Sequence, residues 1–280
     1  MELPDEPRIT ASFDASKYAD CDIAFKDVSY RYPGAAQDAL SHFSFTFKAG
    51  RCYALVGENG SGKTTLVKLL CGLIEPDSGV IMIGQTNAAE LSGAARYSLF
   101  SAVFQNINTY AMTLGENVAM SDNVNEPAVR DALNEAGLDI NAYPKGLNTM
   151  LRRDFDPEGI DLSGGQKQAL AVARAVYHEH SLMTVLDEPT AALDPLAEKR
   201  VYDHLDQLID WRTALFISHR LASTQFCDEV LVLEQGCLVE QGTHEMLMKA
   251  HGSYARMYEV QNSYYKDDAD ATAEVEVLAQ

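Results

Sequence analysis

Short apolar or alternating runs recur along the chain, and turn residues separate them. Such runs are typical of strands, which the pattern predicts at 23–28, 43–47, 51–56, 80–83, 99–104, 182–186, 214–218, 229–233 and 237–240. Several runs are followed by segments in which apolar residues return every three or four positions, the period of a helix packed on one face. Because strands and helices alternate, the pattern predicts an α/β fold with a largely parallel sheet, and "LVLEQGCLV" predicts an antiparallel hairpin at its end.

Residues 106–162 have a different pattern from the segments on either side. They are rich in helical signals, with Pro127 near the start of one helix and Gly137 at its end, and they contain no convincing strand. We therefore predict a helical subdomain inserted into an α/β core that comprises 23–105 and 163–260.

The two ends of the chain lack a sustained apolar period. Residues 1–22 are acidic and contain proline, which is typical of a linker or leader, so the folded domain is expected to cover 23–260. Residues 261–280 are acidic and poor in aromatic side chains, which predicts a disordered tail.

Charge and composition narrow the function of the chain. Its formal net charge is -19, from 41 acidic against 22 basic residues, and no basic patch interrupts it, so we expect no nucleic acid as a partner. The five cysteines show no C-x-x-C spacing, which argues against a metal site or a disulfide framework. No apolar run approaches the ~18 residues of a membrane span. These features predict a globular chain that is soluble by itself.

A glycine-rich stretch, "GENGSGKT", follows the apolar run at 51–56 and precedes a helical pattern. In that context its backbone N–H groups are expected to wrap phosphate oxygens, with Lys63 at the β- and γ-phosphates and the Thr64 hydroxyl on Mg²⁺. The alternative is an ordinary glycine turn that ends in a solvated lysine. The candidate nucleotide ligands in this stretch are Gly57, Glu58, Asn59, Gly60, Ser61, Gly62, Lys63, Thr64 and Thr65.

Two adjacent carboxylates end the apolar run in "LMTVLDEPT". Asp187 is suited to hold the Mg²⁺ shell, and Glu188 is suited to orient and polarise an attacking water. The alternative is a pair of solvated acids at a strand end. A phosphate loop upstream favours the catalytic interpretation, which predicts phosphoryl transfer from a nucleotide to water.

A serine and two glycines begin the helical run "DLSGGQKQALAVARA", which makes a second helix N-terminus able to bind an anion. The candidate ligands here are Ser163, Gly164, Gly165 and Gln166. One nucleotide needs one phosphate loop, so this second N-terminus is expected to serve another nucleotide unless it is idle.

The motifs "GENGSGKT", "LSGGQ" and "LDEPT" together resemble the nucleotide-binding domain of ATP-binding-cassette (ABC) proteins, over residues 23–260. The resemblance implies a P-loop ATPase core, ATP and Mg²⁺ as cofactors, and ATP hydrolysis coupled to transport across a membrane. It also implies that Ser163 and Gly165 close over the γ-phosphate held by a second nucleotide-binding domain, an identical or a related chain.

The same resemblance assigns roles to four more residues. Tyr32, in "VSYRYP", resembles the aromatic residue that stacks on adenine, and Gln105, in "SAVFQN", resembles the glutamine that contacts the metal and the water. Asp194, in "AALDP", matches the D-loop, and His219, in "FISHRL", matches the switch histidine at the γ-phosphate. The structural alternatives are, in turn, ring packing before a turn, a polar strand end, a helix N-cap and a core histidine.

Several runs resemble the exporter branch of the family: "SAVFQNINTYAMTLGENVAM", "ISHRL" and "EQGTHEMLMKAHGSYARMYEVQ". An exporter relationship implies a transmembrane domain fused upstream of residue 1 and a position at the cytoplasmic face of the cell membrane. The alternatives are an importer ATPase subunit, a non-transport ABC ATPase and a nucleotide-binding module without turnover. Two departures from exporters, Ala169 after "LSGGQ-x-Q" and the stretch "RRDFDPEGID", leave the coupling to a membrane domain open.

Overall fold

A six-stranded sheet forms the centre of the molecule. The computed structural model describes residues 14–18, 20–103, 107–178, 181–187, 213–217 and 221–261. Within these ranges the strands are β1 (Ile23–Tyr30), β2 (Leu40–Phe47), β3 (Cys52–Val56), β4 (Ser78–Ile83), β5 (Thr86–Asn87), β6 (Phe100–Val103), β7 (Met183–Asp187), β8 (Thr213–Ile217), β9 (Glu229–Glu234) and β10 (Cys237–Gly242). The central sheet has the order β10–β9–β3–β8–β7–β6.

Most strands of the central sheet are parallel and apolar on both faces. β3 pairs in parallel with β8 and β9, and β7 does so with β6 and β8. All five residues of β3 and all five of β8 are buried, as expected for parallel strands covered on both sides. β10 runs antiparallel to β9 after a tight turn at Gln235 and Gly236, which have φ of 47° and 80°. The predicted parallel sheet and the predicted hairpin are both confirmed.

A second sheet, in the order β2–β1–β4–β5, is antiparallel throughout. On it, the ring of Phe25 meets those of Phe43 and Phe47 edge to face, with centroids 5.4 and 6.0 Å apart. This sheet confirms the antiparallel β portion of the predicted fold. The sequence pattern misses β5, because two residues are too few to show an alternation.

The α-helices in the described ranges are α1 (Lys63–Leu70), α2 (Gly93–Tyr97), α3 (Leu114–Ala119), α4 (Glu126–Glu135), α5 (Gly164–Tyr177), α6 (His244–Ala250) and α7 (253–261). α1 buries Leu66, Leu69 and Leu70, and Gly72 follows its end with φ of 71°. None of the helices in these ranges is both long and apolar enough to cross a membrane. The helix N-cap that is the structural alternative for Asp194 lies outside the described residues.

α3, α4 and α5 share an apolar cluster of their own. It contains Leu114, Val118, Val129, Leu133, Leu138, Leu147, Leu151, Leu162, Leu170 and Ala173, among others. α5 reaches it with Leu170 and Ala173, while its Ala171 and Val172 pack in the cluster on the central sheet. Between residues 107 and 162 the structure describes no strand, only the isolated bridges Thr113–Met150 and Leu151–Ile160. α5, whose N-terminus carries the "LSGGQ" motif and which we call the signature helix, therefore joins the helical region to the sheet.

The end of the stretch predicted as a leader folds onto the molecule. Three of its residues, Ala15, Tyr18 and Cys21, pack against the apolar cluster that contains Phe25 and Leu55. The carboxylate of Asp22 accepts hydrogen bonds from Lys48 Nζ at 2.7 Å and from the backbone N–H of Ala49 at 3.1 Å. The Lys48 hydrogen bond is the main reason why the pKa of Asp22 is lowered. Folded structure therefore starts before residue 23, while the predicted tail beyond residue 261 lies outside the described residues.

Candidate functional site

The glycine-rich loop lies where β3 ends and α1 begins. Gly57, Gly60 and Gly62 have φ of 151°, 81° and 108°. A Cβ at Gly57 would collide with the carbonyl oxygen of Leu233, and a Cβ at Gly62 would collide with that of Ala39. Because only glycine permits these dihedrals and these close approaches, the shape of the loop depends on its sequence.

Lys63 is the first residue of α1 and is buried, with 7% of its surface exposed. Its ammonium donates to the carbonyl oxygens of Gly57 at 2.7 Å and Glu58 at 2.9 Å. A cation at a helix N-terminus is opposed by the helix dipole, and the two carbonyls offset that penalty. The loop thus curls around a positive charge at the start of a helix, which is a favourable setting for phosphate.

Neighbouring segments hold the loop from outside. The N–H of Gly236, in the β9–β10 turn, donates to the carbonyl of Ser61 at 3.0 Å, and the carbonyl of Gly236 accepts from the N–H of Ser41 at 2.8 Å. The Ser61 hydroxyl is buried and has no hydrogen-bond partner within the described part of the chain. A buried hydroxyl without a partner, a buried ammonium and a wrapped backbone are together the groups that a triphosphate requires. The loop therefore fits the predicted nucleotide.

A cleft of about 510 Å³ brings Tyr32, most of the glycine-rich stretch and Asp187 together. Its walls are Tyr32, Ala39, Asn59, Gly60, Ser61, Gly62, Lys63, Thr64, Thr65, Asp187 and Ile217. The Tyr32 hydroxyl lies 3.3 Å from Thr65 Oγ1 and 3.4 Å from Lys68 Nζ, and Tyr30 meets its ring edge to face at 5.0 Å. Tyr32 is thus held beside α1, so the cleft offers an aromatic ring, a phosphate loop and a carboxylate.

The carboxylate comes from the end of β7. Asp187 pairs with Ile217, the last residue of β8, so the carboxyl ends of these parallel strands reach the same edge of the sheet. In open α/β sheets, ligands bind at this edge. The predicted partners at this edge, Gln105, Glu188, Asp194 and His219, lie outside the described residues.

The second predicted anion site, at the N-terminus of α5, is capped by its own residues. Ser163 Oγ accepts from the N–H of Gln166 at 3.3 Å, and Gln166 Oε1 accepts from the N–H of Ser163 at 2.9 Å. This is a capping box, and its S-x-x-Q spacing is readable in the sequence. Ser163, Gly164 and Gly165 are exposed, and none of residues 163–166 lines the cleft among the described residues.

Arg174 fixes α5 to the helical region, a contact that sequence patterns did not reveal. Its Nε donates to the carbonyl of Asn117 at 2.7 Å, its Nη2 to Asn117 Oδ1 at 3.1 Å, and its Nη1 to the carbonyl of Asn108 at 2.9 Å. Burial lowers the pKa of this guanidinium from its ordinary value. Because the donors reach partners far away in sequence, the period of α5 could not predict them. They anchor the C-terminal half of α5 to the helical region.

Comparison with known proteins agrees with this geometry. The sequence profile of the ABC transporter family matches residues 40–191. The ATP-dependent lipid A-core flippase of Burkholderia orbicola (strain AU 1054) is 37% identical over 242 residues, which are 86% of this chain and 40% of that protein. The Subtilin transport ATP-binding protein SpaT of Bacillus subtilis is 38% identical over 247 residues, again 86% and 40%. The chain thus spans about 40% of the length of these relatives.

A solved structure shows the same fold. A bacterial Atm1-family ABC exporter with ATP bound superposes with a TM-score of 0.79 at 30% sequence identity. The match covers 93% of this chain and 44% of that chain.

Proposed function

This chain belongs to the ABC transporter family, and from that premise we propose that it binds and hydrolyses ATP with Mg²⁺ and thereby powers export across a membrane. The observation that carries the proposal is the single cleft in which Tyr32, the phosphate loop and Asp187 meet. An aromatic ring, phosphate donors and a carboxylate in one cleft are the three kinds of group that a nucleoside triphosphate with its metal requires.

Each described residue of the cleft has a task in this proposal. The loop N–H groups and Lys63 bind and orient the phosphates, and the ring of Tyr32 stacks on the base. The Thr64 hydroxyl and the Asp187 carboxylate would hold Mg²⁺, joined by Gln105. Bound Mg²⁺ neutralises the charge that develops on the phosphate oxygens.

The family resemblance supplies the remaining roles. Glu188 orients and polarises the attacking water, and His219 contacts the γ-phosphate.

The signature helix is proposed to complete a second chain's site. The exposed N-terminus of α5 lies outside its own chain's cleft lining, yet it carries a helix dipole and two glycines. Two chains related by a two-fold axis would each give a phosphate loop to one nucleotide and Ser163 to the other. ATP then holds the two chains together, and hydrolysis releases them.

Export is proposed from the relatives that match this chain. They are described as a flippase, a transport ATP-binding protein and an exporter, and each is more than twice as long as the matched region. We infer that a transmembrane domain precedes residue 1 in the natural protein. The nucleotide-binding domain described above would then lie at the cytoplasmic face of the membrane. The partner chain is an identical or a related nucleotide-binding domain.

The experiment measures dimerisation by sedimentation velocity with and without Mg-ATP. Glu188→Gln is expected to bind ATP without discharging it, so a dimer stabilised by ATP accumulates. Adding Ser163→Asp keeps a good N-cap on α5 but puts a carboxylate against the partner's γ-phosphate, which should weaken the dimer at least about a hundredfold. Adding Ser163→Asn, a neutral N-cap of nearly the same size, should weaken it far less.

The control for the charge lost at position 188 is Glu135→Gln, at an exposed acid on α4, which should give no stable dimer with ATP. A Glu188→Gln protein that stays monomeric at saturating ATP and still hydrolyses it would contradict the proposal, as would an Asp variant that dimerises as well as the Asn variant.

A further inference from the structure

One face of α7 is attached to the turn Leu221–Phe226. Tyr254, Tyr258 and Gln261 are spaced at four and then three residues, so they lie on the same side of the helix. Tyr254 Oη is 2.7 Å from Thr224 Oγ1, and Tyr258 Oη accepts from Gln225 Nε2. Gln261 Oε1 accepts from the N–H of Leu221 at 2.9 Å. Three side chains along one face of α7 therefore contact this turn, which is a short 3-10 helix.

Each hydroxyl carries one proton, so the donor and the acceptor of each hydrogen bond in this contact can be assigned. Thr224 Oγ1 is 2.7 Å from the carbonyl of Leu221, which can only accept, so Thr224 donates its single proton there. Tyr254 must then donate to Thr224, and His244 Nδ1, at 2.7 Å, must donate to Tyr254. Burial raises the pKa of Tyr254 to about 12, so its proton is present at neutral pH. The chain of hydrogen bonds ends on the backbone of Leu221.

Both backbone groups of Leu221 are thus held by side chains, its carbonyl by Thr224 and its N–H by Gln261. Leu221 itself is buried, with 2% of its surface exposed. A residue fixed at its N–H, its carbonyl and its side chain has little freedom to move.

α7 is a firm support for this contact because its start is anchored. The carboxylate of Glu240, in β10, accepts from the N–H of Ser253 at 2.5 Å and from the N–H of Tyr254 at 3.1 Å. A carboxylate at a helix N-terminus satisfies two backbone donors and interacts favourably with the helix dipole. Tyr254 and Ala255 are also fully buried, with 0% and 1% of their surface exposed.

The turn faces the phosphate loop. Leu221 lines a cavity of about 430 Å³ together with Gly57 and Glu58 of the loop, and α7 supplies Arg256, Met257 and Gln261 to the same cavity. In the sequence, Leu221 comes two residues after His219.

We propose that Gln261 is a positioning residue for ATP hydrolysis: it holds the N–H of Leu221, two residues after His219, the residue that the family resemblance assigns to the γ-phosphate. This inference rests on the ATPase function proposed above. α7 would then act on hydrolysis through its contact with Leu221.

The test compares two substitutions at position 261. Gln261→Met keeps the length of the side chain and removes the acceptor, whereas Gln261→Glu keeps an acceptor oxygen. In Gln261→Met, the amide of Leu221 should exchange with deuterium at least about tenfold faster, because it has lost its partner. The kcat for ATP should fall about tenfold while KM stays within about twofold, since a misplaced catalytic segment slows the chemistry without weakening binding. Gln261→Glu should restore both values.

The matched control is Glu259→Gln, at an exposed position of the same helix, which should change neither readout. Unchanged deuterium exchange at Leu221 in Gln261→Met would overturn the inference, as would a fall in kcat that Gln261→Glu does not reverse. Exchange is measured without turnover. A wild-type chain that fails to hydrolyse ATP would therefore overturn the proposed function, while the role of Gln261 in holding Leu221 would still be decided by exchange.

Discussion

In the part of the chain that the structure describes, the N-termini of α1 and α5 are both candidate anion sites, and they are built in opposite ways. The start of α1 is enclosed: Lys63 is buried, and a Cβ at Gly57 would meet the backbone of another strand. The start of α5 is open: Ser163 is exposed, and a Cβ at Gly164 would meet no atom within 4 Å. The first has its anion donors arranged inside one chain, and the second satisfies its own donors with a capping box.

The two sites differ in how far their donors are ordered before an anion binds. Donors that are already fixed bind phosphate without paying for ordering, so the α1 site is suited to hold a nucleotide by itself. A self-capped, exposed helix N-terminus gains little from a lone phosphate in water, because two of its donors are already satisfied and its dipole is screened. It becomes useful when another surface covers it and excludes solvent. The contrast is thus the one expected for a nucleotide held by one chain and closed over by another.

The largest effect should follow from Lys63→Ala. The substitution removes the buried charge that the loop encloses, so ATP turnover should fall at least about a hundredfold, the scale seen when one preorganised donor is lost. Lys249→Ala, at an exposed lysine of α6, is the charge-matched control and should retain activity. A phosphate-release assay measures both variants. Equal turnover in the two would remove the basis for treating α1 as the primary site.

A smaller effect is expected at the other end of the cleft. Tyr32→Ala removes the ring, so KM for ATP should rise about tenfold while kcat changes little, because stacking stabilises ground and transition states alike. Tyr32→Phe keeps the ring and loses only the hydroxyl contacts with Thr65 and Lys68, so it should stay within about twofold of wild type. Steady-state kinetics distinguishes the two. If Phe were as impaired as Ala, the hydroxyl would matter more than the ring.

The smallest effect should come from the open site. Ser163→Ala removes the capping oxygen of α5 and should lower the free energy of unfolding by about 1 kcal/mol. Gly164→Ala adds a methyl group into open space and should change it by less than about 0.5 kcal/mol. Neither should alter nucleotide affinity in the monomer. Urea unfolding and nucleotide titration test this; a loss of monomer affinity in Ser163→Ala would mean that α5 serves its own chain's site.

The enclosed site was readable from sequence because its chemistry is local. The glycines and Lys63 of the phosphate loop follow one another, and the neighbouring strand and helix have clear periods, so the motif and its context predicted the cleft's main wall. The parallel sheet followed from the same alternation. What the pattern missed depends on contacts across the chain. The Gly236 support of the loop and the contacts of Gln261 with Leu221 join segments that only the folded topology brings together.

At the predicted boundary between residues 22 and 23, the polar composition of the chain does not show where the folded structure begins. Asp22 belongs to an acidic stretch that resembles a leader, yet its carboxylate is taken up by Lys48 and Ala49. Composition describes the average of a segment, and one well-placed carboxylate can join an acidic segment to a sheet. The capping box at Ser163 is the reverse case, since its two residues, Ser163 and Gln166, are only three positions apart and the spacing alone would have identified it.

The support of the phosphate loop by Gly236 also has a consequence for the order in which the protein is made. The loop is synthesised early, but the β9–β10 turn that holds Ser61 emerges from the ribosome only after both β7 and β8. Contacts between such distant segments form late, because closing a long stretch of chain costs entropy before the contact repays it. A nascent chain that ends at β8 therefore contains the complete glycine-rich loop but lacks the β9–β10 turn that supports it. During synthesis, nucleotide would therefore bind mainly to chains in which β9 and β10 have already formed.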